Sequence, residues 1–407
     1  MPPRSQNRAV WLFYAADCPS NKLTREPSIW LTTLNDQAQE FLTALGQDGH
    51  FHLEGRERLQ MNALDFFVHK IIQGYSGSTL DALKRFGDEC AHQKHRGLFY
   101  LSYRYAQWCV ASACEGIGAA LEVIGCMENE YYEDVDPGLV VNLTTYMNGW
   151  SLFWMGDLRR AHYYLSACIR NWKGEWDVIV RAAALGENYY LSSIAYLGLT
   201  ETFMGRREQG IKHSDNALIT QASGRSYSQM FPLGMRLLGS YRFGDLYEIE
   251  KSARRMLEIC ATHDMPLWRL IADAFLTWVQ TLEGYKSVPW AIQRLKLLEK
   301  QMKPILGLAA ILIFRLQLDL MADLRPSRKE AEAWHRYYRL LRQWQCFVLD
   351  VAFPLKSSTI IKSYPSTINS ARKLGRARKI DVAADLKPTS SPRWIAFARR
   401  RTYRGPR

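Results

Sequence analysis

The sequence predicts an all-α fold in which pairs of antiparallel helices stack into a superhelical solenoid. Three observations favour this class. Glycines follow helical stretches at positions 77, 116, 156, 205, 244 and 284, at intervals of 39 to 49 residues. Most of these glycines are flanked on both sides by segments with apolar residues at i, i+3, i+4 and i+7, which is the helical period. No segment of adequate length alternates apolar and polar residues, so we do not expect a sheet.

The repeat units are defined by the helical segments on either side of each glycine. The predicted pairs are 98–114 with 117–132, 139–155 with 158–172, 189–204 with 208–220, 232–243 with 246–260, and 267–282 with 289–301. Two less regular helices, 28–45 and 56–74, precede this array, and a helix over 329–344 ends it. An unrepetitive helical bundle is the alternative interpretation.

Small residues recur at equal offsets in two of the units. Glycine inside a helix costs about 1 kcal/mol against alanine, so Gly149 and Gly198 are expected where another backbone passes close. This pattern matches tetratricopeptide repeats, which place small residues in the first helix, at the turn and at the helix crossing. Later units are degenerate, with Leu237 and Thr277 at the mid-helix position. The predicted repeat positions are Gly116, Gly149, Gly156, Ala161, Gly198, Gly205, Gly210, Gly244 and Gly284.

The chain is expected to divide into four regions. These are an irregular segment over 1–27, capping helices over 28–75, repeats over 76–345 and a basic, mostly disordered tail over 346–407. The net charge is +13, yet residues 371–407 contain 12 of the 53 Lys and Arg and only two of the 40 Asp and Glu. Because the rest is nearly neutral, the charge predicts weak, nonspecific nucleic-acid binding by residues 371–407.

Hydropathy and cysteine usage indicate the cellular compartment of the protein. No apolar run reaches the ~18 to 20 residues of a membrane helix, and the N-terminus lacks the pattern of a secretory signal. The eight cysteines form no CxxC pair. We therefore expect a cytoplasmic protein without membrane contact, in which cysteines act as small apolar residues.

The sequence predicts no catalytic residue, no cofactor and no metal site. Gly116 and Gly118 form part of a dinucleotide motif, but a helix rather than a strand precedes them. The acidic loop 128–136 lacks the spacing of a calcium-binding loop, and no nucleophile pairs with a base. An enzyme with an unrecognised helical active site is a third hypothesis, behind the two given below.

Three stretches resemble a known family: residues 57–90, 143–169 and 253–284. They are similar to the tetratricopeptide-rich C-terminal halves of large bacterial signalling proteins, in which a nucleotide cyclase or a winged-helix domain precedes a regulatory ATPase. The resemblance covers about residues 55–345 and implies a regulatory role. The chain has no GxxxxGK[ST] phosphate loop and no room for the effector domain before residue 55. It therefore resembles the repeat module alone, as a stand-alone product or a truncated relative.

A protein or peptide partner is predicted to bind the concave face, which the first helices of stacked repeats line. Trp and Tyr are frequent binding hot spots, although the same aromatics could instead pack against a neighbouring repeat. We expect a non-catalytic interaction module; the second hypothesis is a nucleic-acid-associated protein that uses the basic tail. The predicted contact residues are Tyr146, Trp150, Phe153, Thr202, Trp278 and Thr281.

Overall fold

The computed structural model describes residues 55–348, except 95, 177–179, 181–188, 223–228, 263–264, 304–305 and 322–327. The segment 1–27, most of the predicted capping region 28–75 and nearly all of the tail 346–407 lie outside the described residues. The described part contains 14 α-helices and no strand, so the all-α prediction is confirmed. The helices are α1 (Gly55–Gln73), α2 (Gly77–Gln93), α3 (Leu98–Val110), α4 (Ile117–Glu128), α5 (Pro137–Trp154), α6 (Leu158–Arg170), α7 (Tyr189–Phe203), α8 (Arg207–Ala222), α9 (Met230–Phe243), α10 (Leu246–Thr262), α11 (Pro266–Leu282), α12 (Val288–Met302), α13 (Gly307–Met321) and α14 (Arg328–Trp344).

Consecutive helices pack as seven hairpins, from α1 with α2 to α13 with α14. Each hairpin also contacts the next one, because its second helix packs against the first helix of the following hairpin. Since α1 and α2 form one hairpin, the boundary predicted between residues 75 and 76 falls inside it.

The first and second helices of a hairpin are buried to different extents. In α7, residues on every side of the helix are buried, and α13 is buried over almost its whole length. The second helix α6 buries only Ala161, Leu165 and Cys168, which share one face at i, i+4 and i+7. The first helices therefore form an inner layer, and the amphipathic second helices cover them.

Glycines with positive φ follow the first helices of six of the hairpins. An L-residue pays about 1–2 kcal/mol in this conformation, whereas glycine adopts it freely. The first hairpin uses Gly74, with φ +66°, and not the predicted Gly77, which begins α2. The five predicted turn positions with positive φ are Gly116, Gly156, Gly205, Gly244 and Gly284.

Aspartates that follow two of these glycines begin the second helices. The Asp157 carboxylate accepts a hydrogen bond from the backbone N–H of Arg160 at 3.3 Å, and Asp245 accepts one from Glu248 N–H at 3.3 Å. Each bond satisfies a donor that the first helical turn leaves unpaired. The Gly-Asp pair thus reverses the chain and starts the next helix.

Small residues allow the two helices of a hairpin to cross closely. A β-carbon on Gly198 of α7 would lie 2.8 Å from the carbonyl oxygen of Gly210 in α8. In the preceding hairpin, a β-carbon on Gly149 would lie 2.8 Å from Leu165 Cγ, and Ala161 is fully buried. The distance between these helices is therefore set by residues without room for a larger side chain.

None of the described helices combines the length and apolar character required to cross a lipid bilayer.

Replacing Gly198 with alanine should lower the free energy of unfolding by about 1–3 kcal/mol, because the added methyl meets a backbone carbonyl that cannot move aside. Gly125, within α4, is the matched control, since a β-carbon there meets no atom within 4 Å. Its replacement by alanine should be neutral or stabilising, by up to about 1 kcal/mol. Urea unfolding followed by circular dichroism measures both; equal stability changes would refute this account of the crossing.

Candidate functional site

The residues predicted to line an open concave face are mostly interior. Trp150 is the exception: it is half-buried, and its indole N–H donates a hydrogen bond to the Tyr196 hydroxyl at 2.7 Å. Buried side chains present little surface to a partner, so the expectation of an open face lined by these residues is corrected; Thr202 instead lines the groove described below. The buried members of the predicted set are Tyr146, Phe153, Thr202, Trp278 and Thr281.

Neighbouring hairpins cover these side chains, as Tyr189 does for Tyr146 and Tyr196 for Phe153, and contacts between distant hairpins add to the packing. Helix α1 contacts α11, and the π-helical turn Ala111–Glu115 that follows α3 contacts α13. A β-carbon on Gly116 would lie 3.2 Å from Trp344 Cα at the end of α14. The first two hairpins therefore also contact the last two.

Aromatic rings connect successive inner helices. Trp108 of α3 packs edge-on against Trp150 of α5, with ring centroids 5.0 Å apart. Trp150 contacts Tyr196 of α7, which in turn lies 5.5 Å from Phe231 of α9. Phe231 then lies 6.2 Å from Trp268 of α11. These aromatics hold neighbouring repeats together, which is the second of the two roles open to them from sequence.

A groove of about 190 Å³ lies between the fourth and fifth hairpins, where α8 faces α9 and the start of α10. We call it the inter-repeat groove. Two apolar side chains on its wall are exposed: Ile211, at 41%, and Phe243, at 39%. The lining residues are Thr202, Arg207, Ile211, Ser214, Arg236, Gly239, Ser240, Phe243, Asp245 and Glu248.

Small residues leave space for this groove. The close crossing of α7 and α8 at Gly198 and Gly210 brings Ser214 against the inner helix. A β-carbon on Gly239 of α9 would lie 3.3 Å from Thr202 Cγ2, so α9 also approaches α7 closely. The floor of the groove consequently consists of small and hydroxyl-bearing residues, without a large side chain to fill it.

Ion pairs fix the charged rim of the groove. Arg236 donates to Glu248 at 3.0 and 3.2 Å and also contacts Asp215 of α8. Arg207 pairs with Asp245 at 2.7 Å and lies 5.0 Å above the Phe243 ring. Arg207 therefore positions Phe243, and both arginines join α8 to the fifth hairpin.

The sequence reasoning missed Ile211, Arg236 and Phe243 because it searched the first helices for a concave surface. A local signal was present at Ile211, an apolar residue among the polar residues of α8 (Arg-Glu-Gln-Gly-Ile-Lys-His). No local signal marks the groove itself, because it forms between two hairpins.

A buried carboxylate connects three helices next to the groove. Glu201 of α7 lies 3.3 Å from His162 Nε2 of α6 and 2.7 Å from His213 Nδ1 of α8. The two imidazoles contact different oxygens of the carboxylate. Within the described part of the chain, no three His, Cys, Asp or Glu residues converge in a way that would hold a metal ion.

Two buried thiols are held in their protonated form. Burial, together with the neighbouring Glu89 carboxylate, raises the pKa of Cys90 to about 12. Burial also raises the pKa of Cys168 to about 12, against a small opposing effect of its hydrogen bond from Ser193. Since the thiolate is the nucleophile, neither cysteine suits nucleophilic catalysis at neutral pH.

No family model fits the chain, and no curated sequence is significantly similar to it.

Alkylation of the folded protein with iodoacetamide at pH 8 should modify the exposed Cys126 and leave Cys90 and Cys168 unmodified. The two buried thiols combine steric protection with a pKa of about 12, so their reaction should be slower by orders of magnitude. Peptide mass spectrometry before and after unfolding in urea measures this. Rapid labelling of Cys90 in the folded state would contradict the described burial.

Proposed function

We propose that this chain is a tetratricopeptide-like solenoid that acts as a non-catalytic protein-interaction module and binds a peptide segment of its partner at the inter-repeat groove. Stacked helix hairpins, glycine turns at recurring spacing and small residues at the helix crossing support the repeat class. The regulatory role and the cytoplasmic location follow from the resemblance to bacterial signalling proteins and from composition.

The size and the lining of the groove are the observations that support this proposal. Its volume of about 190 Å³ is below the ~300–1,000 Å³ typical of sites that enclose a small-molecule ligand. It instead suits one apolar anchor side chain of a partner. Such a side chain would contact Ile211 and Phe243, and the ion-paired rim would exclude water around it. Buried anchors surrounded by polar groups are typical of interaction hot spots.

Residues with fixed positions make the groove suitable for recognition. Phe243 is held by Arg207, which is itself held by Asp245. A rim ordered before binding loses less conformational entropy when a partner docks.

The second candidate function is nucleic-acid association through residues 371–407. Its support is the sequence, which places 12 basic residues there against two acidic ones. Binding of this kind is driven by counterion release and does not depend on base sequence.

Replacing Ile211 with aspartate should abolish partner capture, because a carboxylate would have to be desolvated against the apolar wall of the groove. Ile219 is the matched control: it is an isoleucine of the same helix, 70% exposed, and outside the groove. Its replacement by aspartate should leave binding unchanged.

The measurement is affinity capture with the full-length chain, followed by quantitative mass spectrometry. Proteins that bind wild type and the Ile219→Asp variant, but not the Ile211→Asp variant, support the groove. The proposal fails if every captured protein binds the two variants equally.

Removing residues 349–407 should eliminate DNA binding, and binding by the full chain should weaken steeply as salt increases, without preference between random and genomic sequences. Fluorescence anisotropy across a salt series tests this. Sequence-selective binding that persists in the truncated protein at physiological salt would contradict binding through the tail and would favour a DNA-binding role of the helical repeats over an interaction module.

A further inference from the structure

The turn between α11 and α12 forms a second exposed apolar surface, distinct from the inter-repeat groove. Tyr285 is 75% exposed, and Leu282 and Trp290 on either side of it are also exposed. The turn spans residues 283–287 and is longer than the two-residue turn between α9 and α10. We call Leu282, Glu283, Tyr285, Lys286 and Trp290 the turn patch.

Backbone hydrogen bonds hold the turn in one conformation. The N–H groups of Tyr285 and Lys286 both donate to the Gln280 carbonyl, at 2.8 and 3.2 Å. Gly284 has φ +81°, and its N–H donates to the Thr281 carbonyl at 3.1 Å. Lys286 Nζ lies 5.1 Å above the Trp290 ring. The exposed tyrosine is therefore presented by an ordered turn, which reduces the entropy lost on association.

The patch carries both signs of charge. Glu283 and Lys286 lie on either side of Tyr285, and both are exposed. Among the described residues Glu283 forms no ion pair, and Lys286 contacts the Trp290 ring and not a carboxylate. A partner surface of one sign would repel one of these two groups. A surface with the same charges in the opposite order would pair both.

A second copy of the chain provides such a surface. In a two-fold contact the same residues face each other in opposite directions. With the axis near Tyr285, Glu283 of one copy faces Lys286 of the other, and the apolar side chains pack between these pairs. We propose that the protein forms a two-fold symmetric homodimer through the turn patch, which goes beyond the proposed function because it uses a different surface.

The size of the patch determines the expected affinity of the dimer. Three apolar side chains with a small charged rim place the contact at the low end of specific interfaces. The dimer should therefore dissociate on dilution, and the full-length protein should show a monomer–dimer equilibrium in the micromolar range. Sedimentation velocity over a concentration series measures this equilibrium.

Charge exchange tests the proposed pairing. Glu283→Lys and Lys286→Glu should each raise the dimer dissociation constant by about tenfold or more, because each brings like charges together. The double variant restores opposite charges across the axis and should return the constant to near the wild-type value. Tyr285→Ser should weaken the dimer, whereas Tyr247→Ser, at a tyrosine 70% exposed outside the patch, should not.

Thermal melts of each variant check that the fold is retained, which is expected because the substituted residues are exposed. A monomer at all concentrations, a dimer unaffected by the single substitutions, or a double variant as weak as the single ones would each overturn the proposal. Equal weakening by Tyr247→Ser would do the same. These outcomes leave partner binding at the inter-repeat groove untouched, because none of the variants alters a residue of that groove.

Discussion

The inner helices of this protein are buried against both their own outer helices and the neighbouring hairpins, and this constraint determines what their sequences contain. A helix covered on several sides cannot expose polar groups to water, so those groups must be satisfied within the protein. Thr200 and Thr202 of α7 donate their hydroxyls to carbonyls one helical turn earlier, at 2.7 and 2.8 Å. Most of this layer is therefore apolar or carries such self-satisfied hydroxyls, whereas the buried Ser151 hydroxyl and the indole N–H groups of Trp108 and Trp278 have no hydrogen-bond partner among the described residues.

Charged groups in the inner layer obey the same constraint. Arg315 of α13 is almost fully buried, pairs with Asp319 at 2.9 Å and lies 5.3 Å from the Trp334 ring of α14. Asp319 also accepts a hydrogen bond from Tyr241 of α9, whose pKa is raised well above its usual value by burial and by that carboxylate. Removing one member would leave another charge buried and uncompensated, so the network fixes the packing of α9, α13 and α14.

The helices and their turns could be predicted from local sequence. Which elements pack on the inner helices could not. The predicted helix 139–155 is observed as Pro137–Trp154, and the turn at Gly156 has the positive φ that favours glycine, because period and turn chemistry are local. Periodicity indicates which residues share a helix face but not what packs on that face. Contact between α1 and α11 joins segments about 200 residues apart, and Phe243 becomes part of a groove only because α8 and α9 leave a gap.

Because the inner helices are buried, the surfaces that a partner could contact lie on the outer helices and the turns. The inter-repeat groove and the turn patch both lie where two elements meet, at positions that inner packing does not require to be apolar. An exposed residue such as Tyr285 can be replaced without a cavity, whereas Trp278, four residues before Leu282 on α11, cannot. Binding specificity can consequently change at the turns and outer helices while the inner layer, which holds the hairpins together, keeps its composition.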